Sequence, residues 1–284
     1  MERTIDLKDR VQGALLGFAI GDAMGATTEF MNSAEIRKKY GIVKDIIGGG
    51  WLHLNPGEVT DDTQMMLCVY RGIRDGNGSL NRTLDLICKE FREWADSFPP
   101  DIGGACYRAI YGTNEISASK WRKANRDRQR LTGVKDYGNG GLMRCLVPCL
   151  MDKLDLAVNQ SALTHTNVLC NIQVKLYYDA LWKALNDCKP ADIEWHEPTG
   201  HALNTERNAE FWLGSTNSFE EAIIGAVNDG GDADTIAALT GGLAGAYYGA
   251  KAIPSRWVQQ LYPKTVMALM VVSEYILAQY RSKM

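Results

Sequence analysis

Residues 228–250 read NDGGDADTIAALTGGLAGAYYGA, an acidic, glycine-rich segment that leads directly into an apolar run. The apolar run predicts a helix, and its Gly241, Gly245 and Gly249 recur every four residues, so that they share one helix face. Glycine in a helix interior costs about 1 kcal/mol relative to alanine. Such a stripe therefore indicates a neighbouring element packed at very short distance.

The first predicted helix carries the same pattern. In LKDRVQGALLGFAIGDAMG, for which Asp6 is the predicted N-cap, Gly13, Gly17 and Gly21 also step by four. We expect two core helices that approach closely and are candidates to pack against each other. Tight packing alone explains both stripes, without any functional role.

The rest of the sequence predicts more helices and almost no strands. Helices are predicted at TDDTQMMLCVYRGI, at LNRTLDLICKEFREWADSF and at SALTHTNVLCNIQVKLYYDALWKAL, the last as one long helix. Residues 41–58 and 189–218, which hold glycine, proline and polar side chains, are predicted to be irregular. Because alternating patterns, linkers and internal repeats are absent, we predict an all-α fold with a single domain over residues 1–284.

The composition is that of an ordinary globular protein. The chain has 284 residues, of which 45% are hydrophobic and 23% charged, and its net charge of −3 offers no basic surplus for nucleic acid. No apolar run reaches the roughly 18–20 residues of a membrane helix, and the start MERTIDLKDR does not resemble a signal peptide. Seven dispersed cysteines without a CxxC pair indicate reduced thiols. We therefore expect a cytoplasmic monomer with no nucleic-acid or membrane partner.

Two acidic clusters stand at predicted helix starts, TDDT at 60–63 and DADT at 232–235. One acidic residue stabilises a helix N-terminus by roughly 0.3–1 kcal/mol, but several like charges in one turn repel each other. Asp61 with Gln64 three residues later resembles a capping box, so capping is the simpler explanation for either cluster alone. Carboxylates and threonine hydroxyls are also the hard ligands that Mg²⁺, Mn²⁺ or Ca²⁺ select, and no histidine lies nearby to favour zinc. If the clusters converge, their aspartates would neutralise two divalent cations.

Other residues are weaker candidates. The glycines of GNGG at 138–141 permit positive φ and would let backbone N–H groups approach a phosphate, although a plain turn explains them equally well. His165, a lone helical histidine, is more often structural than ligand-binding. Glu29 and Asp101 are single carboxylates near predicted helix ends. The basic run at 120–130 is typical of a solvated helix face, with a protein or phosphate contact as the alternative.

Six segments carry a family resemblance. In chain order they are GALLGFAIGDAMGATTEF, VTDDTQMML, PPDIGGACYRAI, YGNGGLMR, ALTHTN and NDGGDADTIAALTGGLAGAYYG. In this order they resemble the ADP-ribosylglycohydrolases, and most of all the branch that contains the dinitrogenase-reductase-activating glycohydrolases. The segments run from about Gly13 to Gly249, and the pairing of TDDT with GDxDT is quite specific. The resemblance implies an orthogonal helical bundle that holds two Mg²⁺ or Mn²⁺ ions in a cleft.

The resemblance also implies roles for individual residues. Six residues would ligate the metals, with Asp234 touching both ions: Thr60, Asp61, Asp62, Asp232, Asp234 and Thr235. Five residues would lie along the ADP-ribose: Gly138, Asn139, Gly140, Gly141 and His165. Gly230 and Gly231 would let the backbone turn closely around metal or ribose. The expected partner is an ADP-ribosylated protein, from which ADP-ribose is released.

Family members remove ADP-ribose from arginine, serine or other acceptors, so the resemblance implies hydrolysis at the ribose anomeric carbon, for which a carboxylate manages the protons. Asp101 is the first candidate, because DIG at 101–103 resembles the arginine-specific branch. Glu29 is the competitor, because the serine-acting branch uses a glutamate after its GD motif, and Asp62 is a further candidate for catalysis. Both linkages therefore stay open, with ADP-ribosyl-arginine preferred.

Two alternatives come from other functional classes. An isoprenoid synthase is also all-α and magnesium-dependent, but DDTQ lacks the third acid of its first motif and NDGG lacks the serine and glutamate spacing of its second. A non-catalytic relative that binds ADP-ribose or serves a structural role would keep the ligands without turnover. Incubation of ADP-ribosylated arginine and serine substrates with Mg²⁺ or with EDTA distinguishes these possibilities.

Overall fold

In the computed structural model, which describes residues 5–281, every regular element is helical. The α-helices are α1 (Leu7–Gly25), α2 (Ser33–Tyr40), α3 (Asp61–Asp75), α4 (Leu80–Asp96), α5 (Gly104–Ile110), α6 (Ala118–Thr132), α7 (Leu146–Leu150), α8 (Leu154–Ser161), α9 (Val168–Leu185), α10 (Ala202–Ser215), α11 (Phe219–Asp229), α12 (Ala233–Tyr248), α13 (Ser255–Gln260) and α14 (Pro263–Arg281). A 3₁₀ turn follows α12 at Ala250–Ala252. Isolated bridges are the only β pairing in the described range, so the all-α prediction is confirmed.

The described residues form two compact units. Unit 1 is built from the described parts of Met1–Thr60, Asp179–Gly200 and Asn204–Met284, and unit 2 from Asp61–Tyr178 and His201–Leu203. Each unit has its own buried core. The single domain expected over the whole chain stays a prediction.

The two glycine stripes meet in unit 1, where α1 packs against α12. A Cβ atom on Gly17 would lie 2.3 Å from the carbonyl oxygen of Gly241, and one on Gly21 would lie 2.0 Å from that of Ala237. The partner number falls as the number along α1 rises, so the helices run antiparallel. No side chain fits between the backbones at these points. The prediction of two closely approaching core helices is confirmed, and they are each other's partners.

The stripe differs from the prediction at its ends. Gly25 continues it, because a Cβ atom there would lie 2.4 Å from the carbonyl oxygen of Ala233. Gly249 lies just past the helix as the C-cap of α12, with φ of 80°, but it still faces α1, because a Cβ atom on it would lie 2.6 Å from Asp9 Oδ2. This last glycine serves a left-handed helix end, for which glycine is preferred.

Unit 2 has a buried arginine side chain, that of Arg144, in its core. The guanidinium of Arg144 stacks over the ring of Phe91, 4.6 Å from the centroid, and is fully buried. It donates to both the side chain and the carbonyl oxygen of Gln160, at 2.8 and 3.0 Å, and to Thr164 Oγ1 at 2.7 Å. A charge this deep is tolerated only when its donors are satisfied, as they are here.

Two sequence predictions about helix boundaries are wrong. The segment predicted as one long helix, residues 161–185, is helical only from Val168 onward, because Ser161 ends α8 and residues 162–167 form a turn before α9. Inside that turn the carbonyl oxygen of Leu163 accepts from Asn125 Nδ2 at 2.9 Å. A tertiary hydrogen bond from α6 thus satisfies backbone that a continuous helix would pair internally.

The second error is α10, which lies within the segment 189–218 that was predicted to be irregular. Its polar residues Thr205 and Asn208 are fully buried and bond to backbone upstream of the helix. Because polar side chains occupy its buried face, the helix lacks the apolar periodicity that would have revealed it.

The seven cysteines are all thiols, and six of them are buried, as expected for a reduced protein. Among the described residues, no helix combines the length and apolar character needed to span a bilayer.

Candidate functional site

The loop between α11 and α12 is held in a tight path by backbone pairing. Gly230 and Gly231 have φ of 83° and 65°, in the left-handed region. The N–H of Phe30 donates to the carbonyl oxygen of Gly231 at 2.7 Å, and the N–H of Gly231 donates to that of Met31 at 2.8 Å. The segment after α1 is thereby joined to the start of α12. Together with the packing of α1 on α12, this pairing brings Glu29 close to the start of α12.

Three carboxylates converge at that junction. Glu29, Asp232 and Asp234 each offer one oxygen, and these oxygens lie within 4.8 Å of one another. Glu29 and Asp234 are buried, and Asp232 is half-buried. Asp232 is the N-cap residue of α12, yet its side chain makes no capping hydrogen bond. Capping therefore does not explain its charge.

The donor set fits a hard divalent cation. Two like charges about 4.8 Å apart repel by roughly 3 kcal/mol at an effective dielectric constant of 20. A shared cation would therefore stabilise three carboxylates at this distance. Oxygen-only ligands favour Mg²⁺, Mn²⁺ or Ca²⁺ over zinc. Glu29, expected as an isolated acid/base candidate, is thus placed with Asp232 and Asp234.

The other acidic residue of the opening motif has a separate role. Asp229 is the last residue of α11, and its Oδ2 accepts from Trp195 Nε1 at 2.8 Å. Burial raises the pKa of the Asp229 carboxyl, and the bond from Trp195 opposes that rise. Asp229 thus bonds to a neighbouring loop and lies outside the carboxylate cluster. Thr235, the remaining ligand predicted here, is buried in the first turn of α12.

The TDDT motif lies at the start of α3, but the helix begins one residue earlier than predicted. Asp61 is the first helical residue and not the N-cap, so the capping box with Gln64 is wrong. Gln64 Oε1 instead accepts from Trp94 Nε1 at 2.8 Å. Thr60, which precedes the helix, donates its N–H to Asp22 Oδ1 at 2.9 Å, within unit 1. Asp22 is buried in α1 and fixes the backbone at this predicted ligand, a role that its sequence context did not indicate.

The loop that carries Asp101 is tied to α3 within unit 2. The N–H of Gly103 donates to Asp61 Oδ2 at 3.4 Å. Asp101 is half-buried, and burial raises the pKa of its carboxyl, an effect that a bond with the backbone of Ile102 opposes. A raised pKa keeps a carboxyl protonated closer to neutral pH, which is the property of a general acid. Asp62 is buried in the same first turn of α3.

The GNGG loop and His165 are neighbours in unit 2. A Cβ atom on Gly138 would lie 3.1 Å from His165 Nε2, and one on Gly140 would lie 2.7 Å from Cε1 of the same ring. A Cβ atom on Gly141 would clash in the same way with Ser161, at 2.1 Å from its Oγ. None of these glycines has positive φ, so the predicted conformational reason is wrong. Gly138 and Gly140 leave the space that the buried ring of His165 occupies, and Gly141 leaves the space that Ser161 occupies.

His165 itself is held by a chain of polar contacts. Its Nδ1 lies 2.8 Å from Thr164 Oγ1, which in turn accepts from Arg144. Its Nε2 lies 4.0 Å from Asp136 Oδ1. Burial lowers the pKa of His165 from 6.5 to about 4, with Asp136 opposing the shift, so the ring is neutral at pH 7. His165 therefore packs against the GNGG loop as a neutral imidazole.

The basic run lies on α6, and much of it matches the expected solvated face. Lys123 and Arg130 are exposed and pair with Asp127 of the same helix. Arg128 differs, because it is partly buried and lines a cavity of about 290 Å³ together with Asp136. One end of the run therefore reaches the neighbourhood of the GNGG loop.

Comparison with known proteins identifies the family. A model of the ADP-ribosylglycohydrolase family matches residues 3–207 and 178–283. An ADP-ribosyl-[dinitrogen reductase] glycohydrolase of Rhodospirillum rubrum is 35% identical over 281 residues, covering 89% of this chain and 90% of the relative. The chain belongs to the ADP-ribosylglycohydrolase family. Its membership confirms the resemblance found in the sequence and rules out the isoprenoid synthase alternative.

Further relatives agree with this assignment. The ADP-ribosylarginine hydrolase Tri1 of Pseudomonas putida is 28% identical and is matched over 89% of this chain and 74% of its own length. A solved structure described as an ADP-ribosylglycohydrolase-related protein complex superposes with a TM-score of 0.73 at 29% identity, covering 98% of this chain and 99% of that one. The helical fold is thus that of the ADP-ribosylglycohydrolases.

Proposed function

We propose that this protein is a metal-dependent hydrolase that removes ADP-ribose from a modified protein by cleaving the N-glycosidic bond of ADP-ribosyl-arginine. The observation that carries the proposal is the carboxylate cluster of Glu29, Asp232 and Asp234 in a chain of this family. The arginine linkage is favoured because one similar relative is named an ADP-ribosylarginine hydrolase. Another is named for a glycohydrolase reaction on dinitrogen reductase.

The cluster would hold Mg²⁺ or Mn²⁺. The bound metals would polarise the ribose hydroxyls and a water molecule. We assign Glu29, Asp232 and Asp234 to this centre. From the family resemblance alone we add the remaining predicted ligands, Thr60, Asp61, Asp62 and Thr235, with two ions as the expected number. Gly230 and Gly231 keep the backbone beside the cluster clear of side chains.

Asp101 is our candidate for the residue that gives a proton to the departing guanidine nitrogen. Burial raises the pKa of its half-buried carboxyl, a shift that favours the protonated form a general acid needs. Glu29 is less suited to that role, because its carboxylate shares the cluster with Asp232 and Asp234. We assign Gly138, Asn139, Gly140 and Gly141 to the phosphates of ADP-ribose, supported from below by His165.

Two variants separate the proposed roles of the carboxylates. Asp101→Asn is expected to keep Mn²⁺ affinity while kcat for ADP-ribosyl-arginine falls by about 10²–10⁴-fold, the usual contribution of general acid–base catalysis. Glu29→Gln is expected to weaken Mn²⁺ binding, measured by titration calorimetry. An Asp101→Asn protein with the wild-type rate would remove Asp101 from the mechanism.

The substrate is tested with matched peptides that carry ADP-ribose on arginine or on serine. Release of free ADP-ribose in Mg²⁺, its loss in EDTA, and a preference for arginine are the expected results. Faster release of ADP-ribose from the serine peptide would show that the protein prefers the O-linked substrate. Tight binding of ADP-ribose without any release would show a non-catalytic relative.

A further inference from the structure

Two exposed aromatic rings lie beside the carboxylate cluster, and the proposed chemistry does not use them. Phe30 is 67% exposed and Trp51 is 46% exposed. Their ring centroids are 5.4 Å apart and their planes are inclined by 48°. Single exposed aromatic residues are common on protein surfaces, but a contacting pair at the edge of a site offers a continuous ring surface. We call Phe30 and Trp51 the aromatic pair.

The backbone holds Phe30 in an uncommon conformation. Its φ is 62°, which is unusual for a residue other than glycine, asparagine or aspartate. The bonds between residues 30–31 and Gly231 fix this geometry and leave the ring largely in solvent. Core packing does not explain the conformation, because little of the ring is buried. Strain of this kind is typical of binding and catalytic sites.

Trp51 connects the aromatic pair to the metal-binding carboxylates. Its indole Nε1 donates to Glu29 Oε2, and Glu29 directly precedes Phe30 in the chain. The two rings therefore lie at the edge of the cluster formed by Glu29, Asp232 and Asp234. A group held near this edge would face aromatic carbon on one side and a carboxylate on the other.

A guanidinium group matches these surroundings. It is planar and always charged, it stacks on aromatic faces, and its N–H groups bond to carboxylates. A serine hydroxyl has neither the plane nor the charge. The inference rests on the proposed function. We propose that the aromatic pair binds the guanidinium of the ADP-ribosylated arginine and thereby selects arginine over serine as the acceptor.

The test compares full-length variants on matched peptides and on free ADP-ribose. Phe30→Leu and Trp51→Leu remove one ring each. We expect each to raise KM for the arginine peptide by about 3- to 30-fold, the range of a cation–π contact. KM for the serine peptide and the Kd for free ADP-ribose, measured by calorimetry, should stay within about twofold.

Two further variants distinguish stacking from other effects. Trp51→Phe keeps a ring but removes the N–H donor to Glu29, so KM should change less than in Trp51→Leu while kcat falls. Trp195→Leu is the matched control, because Trp195 is also 46% exposed and also donates to a carboxylate, that of Asp229. Its KM for the arginine peptide should equal that of the wild type.

Several outcomes would contradict the proposal that the aromatic pair binds the guanidinium. They are an unchanged KM in Phe30→Leu, an equal loss of affinity for free ADP-ribose, and an equal rise of KM in Trp195→Leu. If the wild type releases nothing from the arginine peptide, the proposed function fails instead. In that case binding still tests whether the aromatic pair binds the guanidinium, through the ratio of the Kd for the arginine peptide to the Kd for free ADP-ribose. If this ratio is the same in the wild type and in Phe30→Leu, the inference is overturned.

Discussion

Gly231 shows how one residue without a side chain permits the carboxylate cluster. Its φ of 65° is left-handed, and a Cβ atom on it would lie 1.6 Å from the carbonyl oxygen of Pro198. Next to it, Asp232 takes its place among the clustered carboxylates. The glycine is therefore required both for its backbone conformation and for the space that it leaves.

Replacing Gly231 by alanine is expected to cost more than about 2 kcal/mol of unfolding free energy, because left-handed strain of about 1–2 kcal/mol adds to the clash. Gly133→Ala is the matched control, since Gly133 has φ of 67° and nothing within 4 Å of its would-be Cβ. Urea unfolding of both variants measures the difference. Equal losses would show that only the backbone conformation matters at position 231.

His165 makes the stability of the protein depend on pH. The pKa of its ring is about 4 in the folded protein and 6.5 in the absence of burial. Between these values the unfolded chain binds more protons than the folded one, so stability falls as the pH is lowered from about 6.5 to about 4. Asp136, which faces the ring, offsets part of the burial effect, and Arg144 adds to it.

The His165→Asn variant tests this dependence. We expect lower stability at pH 7.5, because packing beneath the GNGG loop is lost. Below pH 6.5 the wild type should lose stability more steeply than the variant, by up to about 1.4 kcal/mol per pH unit. Urea unfolding followed by circular dichroism at several pH values measures both slopes. Parallel slopes would contradict a neutral, buried His165.

At the scale of elements, the contact between α1 and α12 organises unit 1. Helix propensity alone predicts that replacing a glycine by alanine in a helix gains about 1 kcal/mol. Here backbone meets backbone, and at Gly21 the nearest atom to a new Cβ would be a carbonyl oxygen 2.0 Å away. Neither helix can yield locally, because both neighbours are main-chain atoms.

Gly21→Ala is therefore expected to destabilise the protein by about 3 kcal/mol or more, against its intrinsic propensity. Gly104→Ala is the control, because Gly104 is helical and a Cβ there would meet only the far end of the Arg108 side chain, its guanidinium, at 3.1 Å. That variant should be neutral or slightly stabilised. Thermal unfolding of the two proteins measures the contrast, and a stable Gly21→Ala protein would refute the tight interface.

At the scale of the whole molecule, metal binding and folding are linked. An ion that binds only the folded protein stabilises it by about 2.7 kcal/mol at a concentration of 100 Kd. For a chain of this size we expect Tm to rise by about 4–8 °C on replacing EDTA by saturating Mn²⁺ or Mg²⁺. Calorimetric scans of the intact protein measure the shift.

Variants show whether the cluster is the origin of that shift. Asp234→Asn should abolish most of it, because Asp234 belongs to the clustered carboxylates. Asp229→Asn should retain it, because Asp229 bonds to Trp195 outside the cluster. A wild-type Tm that is the same in EDTA and in metal would argue against a metal centre at these residues.

Local sequence determined a large part of this protein. The four-residue spacing of Gly13, Gly17 and Gly21 predicted a close helix pair, because spacing on one helix face is a local property. The family motifs likewise predicted an ADP-ribosylglycohydrolase fold. The crowding of Asp232 and Asp234 pointed to a charge that capping does not explain, and the cluster is consistent with a shared cation.

Tertiary structure alone decided the rest, because the relevant contacts join residues far apart in the chain. Glu29 meets Asp232 because α1 packs against α12 and because Phe30 and Met31 form backbone bonds with Gly231, about two hundred residues away in the chain. Trp51 reaches Glu29 from a glycine-rich loop in which no pattern marks it. Periodicity reports which face of an element is buried, but not which distant group that face meets.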